Sequence, residues 1–181
     1  VSSTSAGLVT GLTAVALVTV GYLGYQASAN IPAELSAAGD RSAAASKAPR
    51  DRNNPTALPG NSGTGERVVY SLDDDRVWLV GPDNRVVRTF RVTPSTVDPA
   101  PDTYYVTSRS GAVTGSDGIP VEHVVRFTSV DHVPIGFSAA KNGLTPPPDP
   151  KARTGGIRQS RADGNEMWKF ATIGQKVVVI R

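Results

Sequence analysis

Arg153-Thr154-Gly155-Gly156-Ile157-Arg158-Gln159-Ser160, read together with the run that follows it to residue 181, decides the fold. Ser160 with Asp163 three residues on has the form of a helix N-cap with an acidic partner in the first turn. The pattern predicts one helix from there to about residue 170, ending before Gly174, with Met167 and Phe170 three apart on its buried face. Residues 176–181, Lys-Val-Val-Val-Ile-Arg, then read as a closing strand. Gly155 and Gly156 read as a tight turn with outward N–H groups. Arg158 is either an ion pair or backbone brace for that loop, or a ligand contact.

Upstream, the chain is a succession of short β-branched runs separated by turn residues. Strands are expected at residues 68–71, 76–80 and 85–92, joined by Asp73-Asp74-Asp75 and by Gly81-Pro82-Asp83-Asn84. Further strands are expected at 103–108, 121–128 and 133–137. A folded domain of residues 66–181, mostly β with a single short helix, follows.

Residues 1–33 carry no charged side chain, and 7–25 are rich in Leu, Val and Ala. That length matches the ~20 residues a helix needs to cross a ~30 Å hydrocarbon core. Residues 1–29 are therefore expected to be a membrane anchor or signal segment. Ala27-Ser28-Ala29 offers a cleavage pattern, which would give a secreted protein, but no Lys or Arg precedes the apolar run, which favours a retained single-pass anchor. Gly7 and Gly11 have helix-pairing spacing, but small residues are common in spans. Residues 30–65, dense in Ala, Ser, Pro, Asn and Gly, read as a disordered linker with an end-to-end distance on the order of 30 Å. Charge does not orient the span, since the nearest basic residue, Arg41, is distant and offset by Glu34 and Asp40.

The 19 Lys and Arg residues are interspersed with 16 acidic ones for a net charge of +3, and no basic run marks a nucleic-acid footprint, so no nucleic-acid partner is expected. The absence of cysteine excludes disulfides, thiolate metal sites and thiol chemistry. His123 and His132 are a poor zinc set; Asp131 and His132 precede Ser138, but no Gly-x-Ser-x-Gly elbow is present. Turn or edge-strand positions explain both histidines better. Asp73-Asp74-Asp75 lacks the glycine and terminal glutamate of an EF-hand and reads as a charged turn. No metal and no cofactor are expected. Trp78 and Trp168 read as packing residues, and Pro146-Pro147-Pro148 with Pro150 as a stiff spacer, an altered lid or a docking segment.

Over residues 66–181 the order of these parts resembles the L,D-transpeptidase catalytic-domain family, bacterial enzymes that cross-link peptidoglycan through a cysteine. Val69-Tyr70-Ser71-Leu72 with Arg76-Val77-Trp78-Leu79-Val80 is similar to that family's first hairpin. Pro101-Asp102-Thr103 stands where the family has a Thr-Pro-x-Gly segment, and residues 133–138 resemble the strand bearing its first motif histidine, with Ser138 in that place. Arg153 to Ser160 resembles the Ser/Thr-His-Gly-Cys segment that continues into an apolar residue and an arginine: Thr154 takes the His place, Gly156 the Cys place, and Arg158 matches the arginine. The resemblance implies an L,D-transpeptidase-like β-sandwich or barrel with one short helix, preceded by a transmembrane helix and a disordered linker, and lying outside the cell membrane.

Family chemistry needs a thiolate to attack the donor carbonyl, a histidine to move the proton and N–H groups to hold the oxyanion. Glycine at 156 cannot attack, and Ser138 has no proton-accepting pKa near neutrality. The resemblance therefore implies a pseudoenzyme with no catalytic residues, whose degenerate positions are Ser138, Thr154 and Gly156. Ligand contacts are expected from Arg158, Gly155, Gly156 and Ser138, and the expected partner is peptidoglycan or its stem peptide. A wall-binding or regulatory module predicts an open pocket at Ser138, Thr154 and Gly156. A membrane-tethered scaffold for another envelope protein predicts an occluded one with an exposed apolar patch. An active transferase would need Ser138 or Ser160 as nucleophile.

Overall fold

The computed structural model describes residues 53–181. The anchor or signal segment, and the linker up to residue 52, lie outside the described residues. Among those described, no helix is long and apolar enough to cross a membrane.

Nine strands and one helix form the domain. β1 (Arg67–Ser71), β2 (Arg76–Val80), β3 (Val86–Arg91), β4 (Asp102–Tyr105) and β9 (Lys176–Ile180) make a five-stranded sheet in the order β3-β2-β1-β9-β4. β5 (Ser108–Thr114), β6 (Pro120–Val130), β7 (Val133–Ala140) and β8 (Gly156–Gln159) make a four-stranded sheet in that order. Helix α1 (Arg161–Phe170) packs on β6 and β7. Pairing is antiparallel except β1 with β9 and β7 with β8, which are parallel.

Alternation along each strand builds the core between the sheets. Val68 and Tyr70 of β1, Val77 and Leu79 of β2, and Val177 and Val179 of β9 meet Val125, Phe127, Ile135, Phe137 and Ile157 of the second sheet. Tyr70 lies edge-on to Phe137 with ring centroids 5.8 Å apart, a favourable aromatic geometry. Burial and the nearby Asp98 and Asp75 carboxylates push its phenol well above the ordinary tyrosine range.

The other face of β1 and β2 presents Val69, Trp78 and Val80, against which Leu58 packs. The Trp78 indole N–H donates to the Thr56 carbonyl at 2.9 Å. Arg67, 1% exposed, donates through Nε to the Ser62 carbonyl at 2.7 Å and through Nη1 to Asn84 Oδ1 at 2.9 Å and to the Gly65 carbonyl at 2.5 Å. Ordered packing thus begins before residue 66, where the sequence places the start of the domain. The reason is physical: an apolar sheet face and a buried guanidinium bind a segment too poor in large side chains to be read as structured.

The hairpins, the helix and the closing strand lie where the sequence puts them. Asp75 and Asn84 adopt positive φ, 47° and 62°, as short Asp and Asn side chains tolerate in turns. The Ser160 hydroxyl accepts from the Asp163 N–H at 3.1 Å, and Met167 is fully buried. The run expected as one strand at 103–108 is divided between the sheets: β4 ends at Tyr105, and β5 begins at Ser108. β5, Ser-Arg-Ser-Gly-Ala-Val-Thr, is a strand without the apolar alternation that marks one, because it lies at the sheet edge.

Candidate functional site

Four short pieces converge at one end of the second sheet: the start of β8, the middle of β7, the Gly115–Ile119 turn between β5 and β6, and Thr93 beyond β3. Thr93 and Arg158 exchange both backbone hydrogen bonds, at 2.7 and 2.8 Å, which ties the first sheet's connecting segment to β8. Thr154 is fixed by its backbone: its N–H donates to Thr96 Oγ1 at 2.9 Å, and its carbonyl accepts from Val97 N–H at 3.1 Å.

Gly155 and Gly156 do not form the tight turn expected from the sequence: neither has positive φ, and Gly156 already begins β8. Gly155 donates no side chain because none fits: a Cβ there would lie 2.2 Å from the Pro134 carbonyl oxygen. Its own carbonyl accepts from Gly136 N–H at 3.0 Å as β8 enters its parallel pairing with β7. The glycines serve close strand approach.

Arg158 is 7% exposed and joins the predicted positions to one another. Nη1 donates to the hydroxyl of Ser138, its cross-strand partner in β7. Nη2 donates to Asp117 Oδ2 at 2.6 Å, closing a partly buried ion pair. Burial pushes the Asp117 carboxyl up, but hydrogen bonds from Arg158 and from the Ile119 N–H, with the arginine's charge, outweigh it and leave the group below the ordinary carboxylate range. Arg158 thus makes the ion pair and the backbone bridge that a brace requires, and it also lines the cavities beside it.

Two cavities flank this arginine. One, of about 270 Å³, is lined by Ser138, Gly155, Gly156, Arg158, Arg126 and Pro134 among others. The second, of about 180 Å³, lies under Pro146, Pro147 and Pro148 and is lined by Thr154, Gly156, Asp117 and Arg158. The proline loop therefore borders the site, as an altered lid would. Ser138 and Thr154 are themselves buried, at 2% and 3% exposure, so each adds little to the open surface.

Ser160 lies apart from this cleft, exposed at the start of α1 as its cap. His132 occupies the turn between β6 and β7 with φ 65°, as a turn residue should. His123 differs from expectation: it sits at an irregularity in the inner strand β6 with φ 53°, its ring against Trp168. Arg109 covers the Trp168 ring, 3.7 Å from its centroid, so Trp168 packs against both a cation and an imidazole. Neither histidine lines either cavity. Asp117 and Arg126 are the site residues the sequence did not point to. Asp117-Gly118 was a readable turn signal, but its use as the arginine's partner depends on β5, whose strand signal is weak.

The sequence matches no protein-family profile and no curated protein. Its structure is similar to an L,D-transpeptidase from Stackebrandtia nassauensis (TM-score 0.57, 13% identity, covering 70% of this chain and 62% of that one). It is likewise similar to L,D-transpeptidases from Xylanimonas cellulosilytica (0.54, 19% identity, 69% and 65%) and Mycobacterium tuberculosis (0.50, 17% identity, 66% and 63%). The chain spans less than two thirds of each of these structures. Two packed sheets with one helix, matched at this level by these structures, show that the described residues have an L,D-transpeptidase-like fold.

Proposed function

We propose that this chain is a catalytically inactive L,D-transpeptidase homologue that binds peptidoglycan, or regulates its assembly, outside the cell membrane, anchored by residues 7–25. The observation that carries the inactive reading is at Gly156: there is no nucleophile, and the Arg158 guanidinium stands 3.2 Å from where a Cβ would be. Ser138 engages that guanidinium, and no histidine reaches the cleft to serve as base. The cleft is nonetheless open at Gly156, which favours wall binding over a scaffold with an occluded pocket.

Co-sedimentation of the full chain with isolated peptidoglycan sacculi tests this reading. Saturable binding, without transfer of a stem tetrapeptide to a labelled D-amino acid, is the expected result. Binding no better than that of an unrelated protein, or measurable transfer, overturns it.

A further inference from the structure

Residues 144–150, Leu-Thr-Pro-Pro-Pro-Asp-Pro, form an exposed strap between β7 and β8. Both ends are pinned to the domain. The Thr93 hydroxyl donates to the Thr145 carbonyl at 3.2 Å, the Thr96 hydroxyl donates to the Ala152 carbonyl at 2.6 Å, and Arg153 pairs with Asp131 at 3.2 Å. Between these ties local sterics fix the backbone. Each proline ring holds φ at about −65°. Thr145, Pro146 and Pro147 each precede a proline, which disfavours the helical region and holds them in the polyproline II region, with its three residues per turn.

That period gives the strap distinct edges. Thr145 and Pro148, three apart, form the edge toward the domain: the first is tied through its carbonyl, and Pro148 is the half-buried residue among exposed neighbours. Leu144 and Pro147, also three apart, are both exposed; Leu144, at 62% exposure, joins neither packed apolar cluster. The carbonyls of Pro146, Pro147 and Pro148 accept no hydrogen bond among the described residues, and the prolines have no N–H to give. A stiff strip of apolar rings with spare acceptors and no donors is complementary to a groove of aromatic side chains, where Trp N–H and Tyr O–H groups supply the donors. Because the strip is ordered before contact, little conformational entropy is left to lose on binding.

We propose that residues 144–149 are a docking strip for a partner protein that carries an aromatic-lined groove, which reads the edge formed by Leu144 and Pro147. This surface is separate from peptidoglycan binding and does not rest on it.

Photocrosslinking tests the assignment. The full chain carrying Leu144→p-benzoylphenylalanine is irradiated in isolated envelopes of the cells that make it, and the linked residues are mapped by mass spectrometry. One protein adduct is expected, linked within a cluster of Trp and Tyr side chains. Adding Pro146→Ala and Pro147→Ala together should lower its yield about tenfold without moving the melting midpoint. A synthetic peptide of residues 142–152 should compete the adduct away, and the same peptide with those two alanines should not. No protein adduct, links to surfaces without aromatic side chains, a yield unchanged by the double variant, or no competition by the peptide would each overturn the proposal. An adduct to peptidoglycan, released by muramidase, would overturn it as well and would assign the strap to the wall-binding cleft.

Discussion

Arg158 and Gly156, two residues apart on the same face of β8, share one space: the guanidinium of the first lies where the side chain of the second would begin, 3.2 Å from the Cβ position to Nη1. Gly115 closes the arrangement from the opposite loop, where a Cβ would come within 2.8 Å of Nη2. The arginine is thus held by a carboxylate, by a hydroxyl, and by the absence of side chains on two neighbours.

The two adjacent glycines should respond differently to the same substitution. Gly155→Ala drives a methyl into the Pro134 backbone at 2.2 Å, which can be relieved only by separating β7 from β8, and is expected to cost about 3 kcal/mol. Gly156→Ala meets the end of an arginine side chain, which can shift, and is expected to cost under about 1 kcal/mol. Urea unfolding of the two variants measures the difference; equal midpoints would contradict the close approach.

Asp117 gives the site a pH dependence. Its carboxyl is held below the ordinary value of 3.8, so its contribution to stability is complete above about pH 4 and is lost as pH falls through the lowered folded value. Asp117→Asn removes that contribution and, with the pair only partly buried, is expected to cost about 1–3 kcal/mol at neutral pH. The gap between the melting midpoints of parent and variant, measured at about pH 6, should close on titration to about pH 2. A gap independent of pH would show that the pair contributes through shape alone.

Arg67 should hold the segment before β1 in place. Arg67→Met removes the donors to the Ser62 and Gly65 carbonyls and to Asn84, and an unsatisfied buried acceptor costs about 1–3 kcal/mol. As Leu58 and Thr56 loosen from Trp78, tryptophan emission should shift to the red in the native state. An unchanged spectrum and denaturation midpoint would mean that Leu58 packing suffices without the arginine.

What was legible in the sequence was whatever a local pattern specifies. The Asp73–Asp75 and Gly81–Asn84 turns, the Ser160 cap and the valine run of β9 each carry their own signal, and each lies where that signal puts it. β8 was visible only as a motif, because four residues containing a glycine and an arginine have no strand periodicity; their pairing with β7 supplies it. Within the site, Ser138, Gly156 and Arg158, which the resemblance grouped, do come together, and Thr154 lines the adjoining cavity. The role of Arg158 was open because its partner Asp117 lies 41 residues away, on a turn whose position depends on an edge strand. Residues 53–65 illustrate the converse: their composition is that of a tether, yet Trp78 and Arg67 give them something to bind.

β9 lies between β1 and β4 in the five-stranded sheet, parallel to the first strand of the domain. During synthesis that sheet must wait with a gap beside β1 until residues 176–180 are available, so most of the chain is made before its first strand gains its second neighbour. Pairings this distant in sequence form slowly, in the range of milliseconds to seconds. The nascent domain accordingly has an interval in which an unpaired β1 edge is open to chaperones or to another copy of itself.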